Sequence, residues 1–221
     1  MKKDDLQNIY GEVPAGFHHS VMNALCHLDE KAEVKHRSNK KVLKAVLVCA
    51  LISAIGVAEV TAVTKEVFTR LVLESEQTLY RISVSMLKNE SDCQDAVQSA
   101  ILTAYEKLSD LKHEEYFKTW LTRILINVCN KQLKYRSRFT ELSEDIPQMT
   151  DDTSREVRDA IDKLPVKIRQ AVVLYYIEEF SVKEIKQILK VPEGTVKSRL
   201  SKGRRLLSVS LGSQPEQECF A

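Results

Sequence analysis

The stretch SVKEIKQILKVPEGTVKSRLSKGRRLL, residues 181–207, constrains the fold more than any other part of the chain. Ser181 followed three residues later by Glu184 is a capping box, in which hydroxyl and carboxylate each satisfy a backbone N–H at the start of a helix. Val182, Ile185 and Leu189 then share one face of that helix, Lys190 to Glu193 make a turn, and Val196, Leu200 and Leu207 give a second helix its inner stripe. Two short helices around a tight turn form a helix-turn-helix. Short helices gain most of their stability from packing, so other parts of the chain must cover these stripes.

The chain supplies matching helices. Val157, Ile161 and Leu164 mark one that ends at Pro165, and Ile168, Ala171, Val172, Tyr175 and Tyr176 mark the next. Upstream, a pattern starting after Thr64 carries Phe68, Leu71, Val72, Leu79 and Ile82. Asn89 to Asp92 break it, with Ser91 or Asp92 expected to cap the following helix, whose apolar face is Ala96, Val97, Ala100, Ile101, Ala104, Tyr105 and Leu108. After the polar turn Ser109 to Glu115, a third pattern runs through Phe117, Trp120, Leu121, Ile124, Leu125 and Val128. An aromatic content of 6% also suits small helical cores better than a large sheet. The expected fold is all-α. An N-terminal helical extension (1–63) precedes a helical domain (64–138), a flexible acidic linker (139–154), a helix-turn-helix domain (155–211) and a tail (212–221).

Charge adds a functional constraint. Lys+Arg 33 against Asp+Glu 31 leaves a formal +2, which says little. Its distribution says more. Residues 131–138 hold four basic side chains and no acid, residues 190–211 hold six against Glu193 alone, and the intervening 139–154 hold five acids and no base. Two positive surfaces flanking an acidic spacer suit two contacts on one nucleic acid. On the second helix of the helix-turn-helix, Thr195, Lys197, Ser198, Arg199, Ser201, Lys202, Arg204 and Arg205 lie off the apolar stripe, placed for base edges and phosphates. Thr119, Arg123, Asn127, Lys131 and Lys134 form the outer face of the Phe117 helix. A cationic helix with aromatics near its start suits phosphate contact and capture of unstacked bases. Gly203 stands inside a helix at a cost of order 1 kcal/mol against alanine, with no compensation visible in the sequence.

Other chemistry is excluded. Cys26, Cys49, Cys93, Cys129 and Cys219 are widely spaced with no CxxC pair, which argues against a disulfide framework or a zinc site and for a reducing compartment. There is no HExxH, no nucleophile–base constellation and no phosphate-cradling glycine loop. No metal, no cofactor and no enzymatic activity are expected.

In residues 1–63, Phe17, Val21, Leu25 and Leu28 have helical spacing, a basic stretch follows from Lys31 to Lys44, and AVLVCALISAIGVA covers 45–58. Fourteen such residues span about 21 Å of helix, short of the roughly 30 Å hydrocarbon core. Extension to Thr64 reaches spanning length but admits Glu59. The six basic residues from Lys31 to Lys44 would hold the N-terminus in the cytoplasm and place the rest outside, in conflict with DNA binding. The segment has a compositional likeness to the tail and anchor of membrane-bound anti-sigma factors. Membrane attachment, a buried or autoinhibitory helix, and a non-native fusion all remain open.

Residues 66–211 resemble an extracytoplasmic-function (ECF) sigma factor of the sigma-70 superfamily. Three blocks carry the likeness in order: LYRISVSMLKNESDCQDAVQSAILTAYEKL, FKTWLTRILINVCNKQLK and LPVKIRQAVVLYYIEEFSVKEIKQILKVPEGTVKSRLSKGRRLL. The resemblance implies a region 2-like bundle and a region 4-like helix-turn-helix in a cytoplasmic, non-catalytic subunit that directs promoter-specific initiation. Its implied partners are core RNA polymerase, promoter DNA and an anti-sigma factor. Asp92, Asp95 and Gln98 would dock on the polymerase. Lys112, Phe117, Lys118, Thr119, Trp120, Arg123, Asn127, Lys131 and Lys134 would melt and read the minus-ten element. Thr195, Lys197, Ser198, Arg199, Lys202 and Arg205 would read the minus-thirty-five element. The alternatives are a polymerase-independent helix-turn-helix regulator and a membrane-linked, anti-sigma-like signalling protein.

Overall fold

A computed structural model describes residues 9–36, 64–111, 113–136 and 152–212, without the side chains of 29–36 and 152–154. Every regular element among the described residues is helical. The N-terminal pattern is helix α1 (Ala15–His36), entered through a turn in which Phe17 and His18 donate backbone N–H bonds to Pro14 O.

Thr64 caps α2 (Lys65–Glu74), its hydroxyl accepting from Val67 N. The single helical pattern expected after Thr64 is two helices, because Ser75 ends α2 and begins α3 (Glu76–Leu87). Its hydroxyl donates to Leu71 O at 2.8 Å, turning the chain without a loop. Lys88 closes α3 in the left-handed region, at φ 60°. The cap of α4 (Glu90–Glu106) is Asn89, whose side chain accepts from Asp92 N at 3.1 Å. Ser91 and Asp92, the expected caps, instead lie within the first turn, since Asn89 has the extended backbone of an N-cap and its side chain already takes the Asp92 N–H. Two single 3₁₀ turns lead to α5 (Phe117–Arg136).

Ala96, Ala100 and Ala104 of α4 are fully buried, small side chains that let neighbouring helices approach closely, and Leu121, Leu125 and Cys129 of α5 are fully buried in the same core. The Phe68 ring meets Tyr105 and Phe117 edge-on at 5.3 and 5.6 Å, tying α2, α4 and α5 together.

The C-terminal unit starts with α6 (Asp152–Asp162), which takes up the last residues of the acidic stretch read as linker, and continues with α7 (Val166–Val172) after Pro165. A π-helical segment, Val173–Ile177, extends α7. Helix α8 (Val182–Leu189) carries the expected capping box, with Ser181 Oγ accepting from Glu184 N and Glu184 Oε2 accepting from Ser181 N at 2.8 Å. Ile185 and Ile188 are its fully buried residues, while Val182 and Leu189 are half-buried. Lys190 turns the chain at φ 52°, and α9 (Glu193–Ser210) follows. Gly203 gains its explanation here: a Cβ would sit 2.5 Å from Val172 Cγ2 and 3.2 Å from Ile168 Cγ2, so α9 crosses α7 at a distance only glycine permits.

The two units are not separate bodies, as a flexible connector alone would suggest. Helix α8 packs on α5, and one contiguous apolar core includes residues from Ile9 to Leu200. Polar contacts stud this seam. Arg81 faces Glu178 at 3.7 Å, Lys88 faces Asp162 at 3.8 Å, and Gln170 donates to Asn130 at 2.9 Å. No helix among the described residues is long and apolar enough to cross a membrane. The apolar run 45–58 lies outside the described residues.

Candidate nucleic-acid interface

Helix α9 follows the short turn from α8, and its apolar stripe, Val196, Leu200 and Gly203, is buried. The opposite face is therefore forced outward, and Lys197, Ser198, Ser201, Lys202, Arg204 and Arg205 are exposed, with Thr195 and Arg199 half-buried at its edges. Lys197 Nζ sits 3.1 Å from Glu193 one turn back, Ser198 Oγ donates to Thr195 O, and Arg204 reaches the Tyr176 hydroxyl at 3.2 Å. Lys202 and Arg205 project from the following turns, so the cationic face runs along most of the helix. Its geometry fits insertion into a major groove with phosphates alongside.

The second basic surface is the distal half of α5. Asn127, Lys131 and Lys134 are exposed along one face. Nearer the start of the helix the expected residues divide. Phe117 is buried against Phe68 and Trp120, so its ring makes no outward contact, and Thr119 is 8% exposed. The i, i+4 spacing of Thr119, Arg123 and Asn127 did not reveal that the start of α5 is covered. Lys118 is exposed but holds its ammonium 5.2 Å from the Phe180 ring of the C-terminal unit. Lys112 lies outside the described residues.

Trp120 and Arg123 line an open cleft of about 250 Å³ together with Asp110, Leu111, His113, Tyr116, Thr119 and Gln187. It has an aromatic wall, a guanidinium and several hydrogen-bonding groups, a combination suited to a planar, polar ring. Tyr116 is 53% exposed and packs edge-on against His113. Sequence reasoning missed Tyr116, although an aromatic beside the apolar stripe of the helix it precedes was a usable signal. It also missed Gln187, which comes from α8 and reaches the cleft only because the two units pack together.

On α4, Asp95 is exposed and Gln98 is half-buried. Asp92 is ion-paired with Arg136 at the end of α5, which lets two basic-surface and acidic-surface residues compensate each other. Around this helix the buried thiols are inert in character: burial pushes Cys93 up to about 12, and Cys129 is raised further by burial and by its neighbour Cys93. Among the described residues no group of three or more His, Cys, Asp or Glu side chains is placed to hold a metal ion.

The chain matches two family models: Sigma-70 region 2 over residues 71–139 and Sigma-70, region 4 over residues 154–207. It is 27% identical over 154 residues to RNA polymerase sigma factor SigV of Bacillus subtilis, covering 67% of this chain and 93% of that protein. It is 30% identical over 151 residues to ECF RNA polymerase sigma factor SigM of Mycobacterium tuberculosis, covering 66% of this chain and 77% of that protein. Among solved structures, the sigma factor RpoE from Bartonella quintana, determined with the anti-sigma factor NepR, shares the fold. The superposition has a TM-score of 0.60 at 23% identity and covers 69% of this chain and all of that one.

Two helical subdomains of the region 2 and region 4 types, joined by a linker and presenting basic helix faces, define an RNA polymerase specificity subunit. The chain belongs to the ECF sigma factors of the sigma-70 superfamily. Membership carries the family's general function, polymerase binding and promoter recognition, and sigma factors are not enzymes.

Proposed function

We propose that this chain directs core RNA polymerase to promoters with two spaced elements, α9 reading the minus-thirty-five element and α5 with the preceding turns opening and reading the minus-ten element. The observation that carries the reading is the outward cationic face of α9, set by the buried stripe Val196, Leu200 and Gly203 behind it. In that reading Lys197, Ser198, Arg199, Lys202 and Arg205, with Thr195, contact the upstream element. Asn127, Lys131 and Lys134 hold the backbone of the downstream element, while Trp120, Arg123 and Lys118 act at the cleft where an unstacked base fits. Asp95 and Gln98, with Asp92 once released from Arg136, dock on the polymerase through α4. Residues 64–138 and 155–211 are the two working units and 139–154 the connector between them. A core-polymerase subunit works in the cytoplasm, and an anti-sigma factor of the kind bound to the Bartonella protein is a fitting regulator.

The test is in vitro transcription with bacterial core polymerase over a library of promoters. Initiation that depends on this chain and selects two conserved blocks supports the reading. Retention of duplex DNA with no association with core polymerase overturns it in favour of an autonomous helix-turn-helix regulator.

A further inference from the structure

The N-terminal segment has no place in promoter reading, yet it is among the best-buried parts of the molecule. Ile9, Tyr10, Phe17, Val21, Ala24, Leu25 and Leu28 are all 5% exposed or less. Phe17 packs edge-on against Tyr80 of α3 at 5.0 Å, Gln77 donates to Gly11 O at 3.0 Å, and His18 Nδ1 lies 2.8 Å from Glu76. Gly16 passes so close to α4 that a Cβ would meet Gln94 Nε2 at 3.1 Å and Glu90 Oε1 at 3.2 Å. Helix α1 therefore lies along the Glu90–Gln94 edge of α4 and leaves Asp95 exposed.

The same segment also touches the other unit. The Arg158 guanidinium of α6 stands 5.4 Å from the Tyr10 ring, and Asp162 and Arg169 lie close enough to act on its hydroxyl. Tyr10 thus reaches the second unit while α1 packs on α4 and α3 of the first, in the arrangement where Lys118 is held against Phe180 and Gln187 closes one side of the Trp120 cleft. The stretch shared with the Bacillus protein is 67% of this chain and 93% of that one, and both family models lie within residues 71–207, outside the N-terminal segment.

We infer that residues 9–28 are an intramolecular brace that holds the two units closed and occludes one edge of the polymerase-facing helix, an inhibitor carried within the same chain. The inference rests on the sigma-factor reading for what the closed state withholds. Opening separates α8 from α5, frees Lys118 and the cleft, and uncovers the Gln94 edge of α4. The apparent affinity for polymerase is then lowered by the fraction of molecules that are open.

The experiment compares the full chain with a full-length variant carrying Phe17→Asp and Leu25→Asp. A third form keeps every residue of α1 and has a specific protease site inserted after residue 50, so that cleavage and dilution release the segment without altering its packing. Trp120 is the only tryptophan and lines the cleft, so its emission reports opening independently of any partner. Expected are a red shift of Trp120 emission and core-polymerase binding at least tenfold tighter for both the variant and the cleaved form. A peptide of residues 9–36 added in trans should reverse both effects. Equal Trp120 emission and equal polymerase affinity in the intact and cleaved chains overturn the brace. A red shift with no polymerase binding in any form overturns the sigma reading, and the inhibitory role falls with it.

Discussion

Replacing Gly203 by alanine sets two quantities of opposite sign against each other. In an open helix the change is favourable by about 1 kcal/mol, because glycine loses more backbone freedom on folding. At Gly203 the new Cβ would sit 2.5 Å from Val172 Cγ2, where carbon atoms normally rest at about 3.5–4.0 Å. Val172 cannot swing aside cheaply, since a β-branched residue in a helix has essentially one χ1 well and Ile168 Cγ2 already stands 3.2 Å from the same point. Either Val172 leaves its rotamer or α9 moves about 1 Å off α7, and overpacking of this kind costs about 1–3 kcal/mol. With the propensity gain subtracted, Gly203→Ala should lose about 0–2 kcal/mol in urea unfolding of the full chain followed by helical circular dichroism. Gly194 is the internal control, because its Cβ would meet nothing within 4 Å, so Gly194→Ala should gain up to about 1 kcal/mol. Combining Gly203→Ala with Val172→Ala should cost less than the two separate losses by about 1 kcal/mol or more, since the first methyl enters the space the second vacates. The reasoning is refuted if Gly203→Ala matches Gly194→Ala in stability, or if the double variant is simply additive.

Other consequences are as direct. Burial holds the Glu178 carboxyl above its ordinary 4.5, so the folded chain binds that proton more readily than the unfolded one, and the stability it contributes is lost as pH rises from about 4.5 through the raised value. Glu178→Gln should flatten that part of a stability-versus-pH curve, and an unchanged slope would contradict the assignment. In a chain with Cys49→Ser and Cys219→Ser, the exposed Cys26 should react with a neutral alkylating reagent within minutes while Cys93 and Cys129 wait for unfolding; three thiols reacting together in native buffer would contradict the buried placement. Lys202→Ala should lower the slope of log affinity against log salt for promoter DNA by about 1 with little change in sequence preference, and an unaltered slope would remove α9 from the DNA.

How much of this was legible in the sequence depends on the range of each contact. The capping box at Ser181 and Glu184 and the stripe at Phe117, Leu121 and Leu125 are local signals, and the structure keeps them. The break at Ser75 was not legible, since the apolar spacing continues across it and only a side-chain bond to Leu71 O ends α2. Gly203 looked like a defect because its reason, the nearness of Val172, lies 31 positions away in sequence. The covered position of Thr119 was hidden for the same reason: helical spacing gives the faces of α5, but which faces are covered depends on the elements packed against it. The cleft residue Gln187 could not have been found from periodicity at all.

The seam between the two units joins an apolar core to buried polar pairs, whereas the packing of α1 is almost wholly apolar. The seam carries Arg81 with Glu178, Lys88 with Asp162, and Asn130 with Gln170, groups that regain water when the units part. Glu178 illustrates how weakly such a pair resists: its raised pKa records a desolvation penalty that the guanidinium at 3.7 Å does not fully offset, and separation relieves it. The contacts of α1 are mostly aliphatic and aromatic side chains, which gain nothing from water and lose burial worth about 1.5–3 kcal/mol apiece when fully exposed. Those polar pairs add little to the apolar contact of α8 with α5, so under the proposed brace the closed population responds to the apolar side chains of α1 more than to any one pair across the seam. The order of effects follows: Glu178→Gln should shift Trp120 emission little, whereas Phe17→Asp with Leu25→Asp should shift it fully. The reverse order would place control in the seam and leave α1 as a passive cover.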